Sequence, residues 1–313
     1  MTGVRWWVPG SVGNGYGSSP SKQYMTERTS EHEGWFDGLD RGDTEAARNA
    51  IESRAADFPQ EWPALAVESG FVASEAKYYD ALGAATRGAA RAAATERERA
   101  DDQQLIHAVR AMDDADRTAN ELAERVAKWA GSRFEAAEPG IEGARAVAER
   151  DPREPADERL IDLAARVVAL DEEAIRLRAF VERVAGDAAP NLAALAGPVL
   201  AARLIALAGG LKPLARKPSG TLQVLGAEEA LFAHLRGQAP SPKHGIIYTH
   251  EYVRGTSREH RGSAARALAG KLTIAARVDY YSGDRRPELD DELDARIERI
   301  RARDERGGGE SRS

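Results

Sequence analysis

Two stretches of the chain carry sustained hydrophobic periodicity. From Leu160, apolar residues recur at Leu163, Val167, Leu170, Ala174, Leu177, Val181 and Val184, in alternating steps of three and four. A heptad seam kept for more than three repeats marks a coiled-coil helix. Upstream, apolar or small residues at 105, 109, 112, 119, 123, 126 and 130 step by three, four or their sums, the spacing of a second helical seam. Pro139, Gly140, Gly143, Pro152 and Pro155 lie between the two, so the helices read as antiparallel arms joined by a turn with room for a short helix. The arms can pair within one chain, and the remaining seam surface would then pair two chains. A homodimer is therefore expected, with Leu105, Val109, Met112, Val126, Leu163, Val167, Leu170, Leu177 and Val181 as its coiled-coil residues.

The remaining elements are shorter. Residues 35–98 read as a small helical domain. Asp43 is placed to cap a helix running to about Asp57, Pro59 and Pro63 interrupt the chain, and a second helix runs from Ser74 to about Arg99. Its expected core is Trp35, Phe36, Trp62, Leu65, Val67, Phe71 and Tyr78. From Pro190 a helix is expected to about Ala208, stopped by Gly209-Gly210. A short helix follows Gly226 as far as Arg236, and 237–257 is rich in loop signals. A last domain helix spans Ser263–Asp279, with Ala264, Ala267, Leu268, Leu272, Ala275 and Val278 on its buried side. Arg266, Gly270, Thr273 and Arg277 step along the opposite side, where two guanidiniums flank two small residues and a phosphate backbone can approach closely. Lys271 projects toward the apolar side, where a lysine stem snorkels. Glu288–Arg303 reads as a charged terminal helix and 306–313 as a disordered tail.

The fold class is mainly α: a small N-terminal domain, an antiparallel helical coiled coil and an all-α C-terminal domain. The expected boundaries are 1–24, 25–98, 99–185, 186–286 and 287–313. Glycines 10, 13, 15 and 17 of the first segment fall among Ser, Asn and Pro without a hydrophobic period. No Gly-Lys-Ser/Thr follows them, so a phosphate loop is excluded. Residues 1–24 read as disordered or as a mis-annotated leader, with translation starting at Met25.

Charge changes this picture more than composition does. Between Arg203 and Arg277 twelve Lys/Arg face four acids, a +8 island in a chain of net −7. Such an island suggests a polyanion partner, and Tyr248, Tyr252 and His244 interleave with it; the plainer alternative is an Arg-rich solvated helical surface. The chain has no cysteine, which excludes disulfides and thiolate metal sites. It shows no bilayer-length apolar run and no signal-peptide core, and a cytoplasmic protein is expected. Only seven of 44 basic residues are Lys, which suits a high-salt cytoplasm or, equally, a GC-rich genome.

Several segments resemble a known domain. Ala189-Pro190-Asn191-Leu192, Gly197-Pro198 and Leu204–Leu211 resemble the opening of a Nop domain. Gln223-Val224-Leu225-Gly226-Ala227-Glu228, Ala230-Leu231-Phe232, Pro242–Tyr248, Ala264–Leu272 and Ala275–Asp279 continue it in order. Leu105–Arg117 and Asn120–Trp129 resemble the long helix of the Nop-family coiled coil. The chain thus resembles the archaeal Nop-domain scaffolds of box C/D guide ribonucleoproteins, the Nop five, fifty-six and fifty-eight family. That resemblance implies a non-catalytic scaffold directing RNA 2′-O-methylation. Its partners would be a box C/D guide RNA, a kink-turn-binding ribosomal-protein-like subunit and a fibrillarin-type methyltransferase docked by the N-terminal domain. S-adenosylmethionine would sit on that enzyme, with no cofactor here. The candidate RNA and ribonucleoprotein contacts are Gly226, Ala227, Glu228, Glu229, Lys243, His244, Thr249, Arg258, Arg261, Arg266, Lys271 and Arg277. Glu229 departs from the family's usual Lys, and the N-terminal domain and coiled-coil tip are shorter than usual.

No constellation supports catalysis. There is no methyl-donor Gly-x-Gly after a strand and no nucleophile elbow. Asp113, Asp114 and Asp116 on one helix rarely converge on a metal unaided, and read as a solvated face or a register-setting contact. His107 lies beside the seam and reads as packing, and His234, His244, His250 and His260 lack metal-ligand spacing. The alternatives are a splicing-type Nop scaffold, disfavoured by the short chain without a long basic tail, and a stand-alone RNA-processing enzyme, which would need a methyl-donor pocket.

Overall fold

The structure is a computed structural model that describes residues 34–54, 60–134 and 138–310, with side chains to residue 303. The leader expected at 1–24 lies outside the described residues. Among the described residues there are fourteen α-helices, one 3-10 turn and no strand. The chain divides into two compact units, residues 1–94 and 95–313.

In the first unit, α1 (Thr44–Ser53) begins at Asp43, whose carboxylate accepts the amides of Glu45 and Ala46 at 3.1 and 2.9 Å, the N-cap bond expected there. The helix ends at Ser53, short of Asp57. α2 (Trp62–Glu68) and α3 (Glu75–Arg99) follow. Phe36, Phe71 and Tyr78 are buried together, with Trp35, Trp62 and Leu65 half-buried around them. Trp35 packs edge-on against Phe71, and its indole N–H donates to the Tyr78 hydroxyl at 3.2 Å. Val67 is exposed rather than in the core: Ala66 points inward on α2, and the next residue is turned about 100° away.

The second unit starts with α4 (Asp101–Ala130), α5 (Gly140–Ala148) and α6 (Pro155–Ala188). All seven seam positions of α4 are buried. The arms run antiparallel: Ala123, Val126 and Ala130 pack with Leu160, Ala164 and Val167 at one end, and Leu105, Val109 and Met112 with Val181 and Ala185 at the other. α5 closes the tip with Ala144 and Val147, and Arg133 reaches Asp157 at 2.5 Å. That hydrogen bond holds the Asp157 carboxyl below the usual range despite burial. On α6 the heptad splits. Leu160, Val167, Ala174 and Val181 are buried, whereas Leu163, Leu170, Leu177 and Val184 remain half-exposed along one flank.

The rest of the unit consists of α7 (Pro190–Ala196), α8 (Pro198–Ala208), α9 (Leu211–Ala215), α10 (Ser219–Gln223), α11 (Glu228–Leu235), a 3-10 turn (Ile246–Thr249), α12 (Glu251–Arg254), α13 (Arg261–Tyr281) and α14 (Glu288–Glu310). The single helix expected over 190–208 is two helices bent by 116°. Pro198 lacks an amide and pushes Gly197 out of the helical region, to φ +77°. Gly209, at φ +84°, ends α8 as expected, and the Gly210 amide returns to the Ile205 carbonyl at 2.9 Å. α14 continues to Glu310, past the tail boundary expected at 306; each added residue needs only one further helical bond, which carries it through Gly307–Gly309. No single described helix is long and apolar enough to cross a membrane.

One core joins the base of the hairpin to the later helices. Leu105, Ile106 and Val109 share it with Leu192, Leu204, Ile205, Leu214, Leu268 and Leu272, and α14 adds Leu289, Leu293, Ile297 and Ile300. Polar ties lock it. The Asp113 carboxylate accepts from the Arg203 guanidinium, its Nε at 3.1 Å, so Asp113 serves as the register-setting contact between α4 and α8. Asp102 accepts from Arg97 at 2.5 and 2.9 Å and from the Leu211 amide at 2.9 Å. Burial pushes the Asp102 pKa upward, but these donors outweigh it and the net shift is downward. Buried Asp279 accepts the amides of Asn191 and Leu192 at 3.0 and 2.8 Å and the Asn191 carboxamide at 2.6 Å. Asn191 in turn accepts the Arg286 amide at 2.6 Å and donates to the Asp284 carbonyl at 2.8 Å.

Replacing Asp279 with Ala leaves two buried amides without acceptors. The expected cost is about 2–6 kcal/mol at roughly 1–3 per orphaned group. Urea unfolding of the variant measures it, and a loss below about 1 kcal/mol would contradict this account. Asp102 has a lowered folded-state pKa, so its stabilisation is complete above the unfolded value of about 3.9 and is lost as pH falls through the lowered value. Asp102→Asn should therefore flatten the acid limb of stability against pH. Parallel curves for variant and wild type would refute the assignment.

Candidate nucleic-acid interface

The geometry around Gly226 begins with a backbone strap. The amides of Gly245 and Ile246 donate to the carbonyls of Gln223 and Leu225, both at 2.8 Å, and the Gln223 carboxamide donates to the Lys243 carbonyl at 2.7 Å. A Cβ on Gly245 would lie 2.0 Å from the Leu225 carbonyl oxygen, so only glycine fits. Gly226 has φ +83° and turns the chain into α11, where Glu228 accepts the Gly226 amide at 2.8 Å.

Beside the strap, a groove of about 470 Å³ is lined by Gln223, Lys243, Glu259, Ser263 and Arg266 among others. No described carboxylate pairs with Lys243 or Arg266, so both charges are available to an anion. At its rim the His244 ring stacks on Tyr248 with centroids 4.6 Å apart, and Arg261 lies over the Tyr248 ring at 5.4 Å. Burial, then the neighbouring cations Arg261 and Lys243, depress the His244 pKa and favour the neutral ring. Arg261 also donates to the Thr256 carbonyl at 3.1 Å, and Thr249 to the Ile246 carbonyl at 2.9 Å. Arg258 is exposed in the turn before α13. His250 is a structural cap: its Nδ1 accepts the Tyr252 amide at 3.1 Å while its Nε2 faces the Leu195 carbonyl at 3.0 Å.

Following the Gly226 turn, α11 buries none of its residues. Phe232 and Leu235 are 59% and 69% exposed, and with Glu229 and Arg236 they line a second hollow. Ala227 is the N-cap residue of α11.

The structure brings Gly226, Ala227, Glu228, Glu229, Lys243, His244 and Arg266 to the strap, the groove and α11, with Thr249 in the 3-10 turn, Arg261 over Tyr248 and Arg258 exposed before α13. It treats two others differently. The Lys271 stem is largely buried, as expected, and its ammonium pairs with the exposed Glu292 of α14. Arg277 spends its Nε on the Ala215 carbonyl at 3.1 Å, tying α13 to α9. The stripe expected on α13 is also interrupted, because Thr273 is buried and donates back to the Ala269 carbonyl at 2.8 Å. α13 is covered on several sides, and Ala265, Ala269 and Ala276 are as buried as Ala264 and Leu268. His107 is exposed and meets Glu98 at 3.0 Å, rather than packing in the seam. No group of three or more metal-ligating side chains converges among the described residues. Sequence reasoning missed the exposed Phe232/Leu235 pair and the partners on α14. The 289/293/297/300 apolar spacing carried the signal that α14 packs on the domain.

The family model described as "Nop: snoRNA binding domain, fibrillarin" matches residues 99–302, well over half of the chain. The chain belongs to the Nop family. An uncharacterized NOP5 family protein of Methanocaldococcus jannaschii is 49% identical over 142 residues, 45% of this chain and 34% of that protein. Nucleolar protein 56 of Dictyostelium discoideum is 40% identical over 39% of this chain and 23% of its own length. Nucleolar protein 58 of Homo sapiens is 36% identical over 47% and 28%. The match to this Nop chain thus spans about a third or less of these relatives. A chain from the crystal structure of a fibrillarin/Nop5p complex aligns over 86% of this chain and 99% of its own, at 26% identity and TM-score 0.48. The nucleolar names of the eukaryotic relatives overturn the expectation of a cytoplasmic protein. That expectation rested on missing apolar segments, which carry no information on compartment.

Proposed function

We propose that this Nop-family chain is a non-catalytic scaffold of a box C/D guide ribonucleoprotein. The observation that carries the reading is a cationic groove beside the glycine strap together with an exposed apolar face on α11, the helix that Gly226 leads into. Phosphate suits the first and a protein surface the second, so guide RNA and a kink-turn protein are bound together as one composite ligand. Lys243, Arg258 and Arg266 take RNA phosphates. Phe232 and Leu235, flanked by Glu229, take the kink-turn protein. The first unit docks a fibrillarin-type methyltransferase, which brings S-adenosylmethionine. The half-exposed flank of α6, Leu163, Leu170, Leu177 and Val184, supports a homodimer that doubles the particle.

Two measurements test this reading. Light scattering of the full chain should give twice 33.8 kDa at micromolar concentration, and Leu170→Asp should give the monomer; a monomeric wild type removes the dimer. Titration of labelled kink-turn RNA should show weak binding to the chain alone in high salt and tight binding once a kink-turn protein is added. Arg266→Ala should weaken the ternary complex by about 1–3 kcal/mol, and Glu229→Lys should leave it unchanged or stronger. Tight, salt-resistant binding of naked RNA that ignores Arg266 rejects the composite surface.

A further inference from the structure

Arg266 stands at the junction of two grooves. Beyond the one beside the strap, a second hollow of about 360 Å³ runs between α13 and α14, lined by Ser263, Arg266, Gly270, Lys271, Ile274 and Arg296. Ser263 and Arg266 belong to both. Together the two follow α13 from Gly262 to Ile274, about 18 Å at 1.5 Å per residue. Three cations, Arg266, Lys271 and Arg296, line the second hollow, and only Lys271 has a carboxylate partner there.

That partner comes from α14, whose first seven residues include five acids. Three of them reach back to the domain: Asp290 pairs with Arg285, Glu292 with Lys271, and Asp294 accepts from the Tyr252 hydroxyl. Tyr252 and Asp294 belong to the docking of α14. The hydrogen bond to Asp294, then burial, pushes the Tyr252 pKa up to about 12. Glu292 is different. Its side chain is 59% exposed, and α14 is already held by Leu289, Leu293, Ile297 and Ile300 and by Arg301, which donates to the Glu251 carbonyl at 3.2 Å. An exposed ion pair of this kind contributes little to folding. What it does is place a carboxylate where a phosphate oxygen would otherwise sit.

We infer that the phosphate track continues past Arg266 into the α13–α14 hollow, with Arg296 as an added backbone contact and Glu292 as a resident competitor for Lys271. This deepens the RNA-scaffold reading and rests on it. A small anion meets Lys271 already neutralised. A phosphodiester backbone engages Arg266 and Arg296 at once, and its next phosphate displaces Glu292 at little cost. The hollow thereby favours an extended polyanion over isolated phosphate, and it reconciles a lysine implicated in RNA binding with its paired state in the free chain.

The test uses the full chain with a kink-turn protein and labelled kink-turn RNA, titrated across several salt concentrations. Glu292→Gln should tighten the complex about threefold and steepen the log–log salt dependence by about one counterion. Arg296→Ala should weaken it about fivefold and make the slope shallower by about the same amount. In a Lys271→Ala background the gain from Glu292→Gln should vanish. Both α14 substitutions lie on exposed side chains, and unchanged thermal melting verifies that the helix remains docked. If Arg266→Ala weakens binding while Glu292→Gln and Arg296→Ala leave affinity and salt slope unchanged, the track stops at Arg266 and this inference fails while the scaffold reading stands. A Glu292→Gln gain that persists without Lys271 removes the competitor. Failure of the wild type to form the ternary complex removes both.

Discussion

The Asp279 carboxylate is the constraint on which the C-terminal domain depends. It closes the free amides at the start of α7 from the far end of α13, 88 residues away in sequence. A carboxylate at a helix N-terminus is favoured by the helix dipole, and burial makes each of its hydrogen bonds hard to replace with water. Asn191 extends the knot to the 284–286 turn and so to the start of α14. The elements that carry the interface, α10 to α13 and the strap between them, are therefore enclosed by a loop of chain whose two ends are fastened together. The Ala189–Leu192 and Ala275–Asp279 segments contain the two sides of this closure.

The basic island is less available than its charge count implies. Arg203 is paired to Asp113, Arg261 is laid on Tyr248, Lys271 is held by Glu292, and Arg277 is bonded to a carbonyl. Of the cations without such ties, Lys243 and Arg266 are the two that line the groove beside the strap. A site of a few fixed cations in a shaped groove selects by geometry, whereas twelve loose ones would attract any polyanion. The rigidity of the Gly245 strap serves the same end, because it fixes the spacing between groove and α11.

The coiled coil was legible because heptads bury residues in a fixed order. All seven α4 seam positions are buried, and the alternation on α6 between buried and half-exposed positions follows the same register. The Asp43 cap and the Gly209 stop were legible because each has one dominant chemical role. Some misreadings arose where one element is covered by another distant in sequence, and others from local backbone geometry. Thr273 lies on the polar side of its helix by local pattern, but other helices cover that side. Lys271 is quenched by a residue 21 positions later. Val67 sits one position from the inward-facing Ala66 on a helix of only seven residues, too short for periodicity to fix a face. The continuous helix over 190–208 overlooked what a Gly-Pro pair does to backbone geometry.

That pair has a consequence for how an apolar segment is used. Residues 190–208 are apolar apart from Asn191 and Arg203 and stop just short of the roughly 20 residues that a straight helix needs to cross a bilayer. The break at Gly197–Pro198 divides it into helices of seven and eleven residues, each far too short to span. The fold then uses the 116° corner as a wedge that fills its core from two directions.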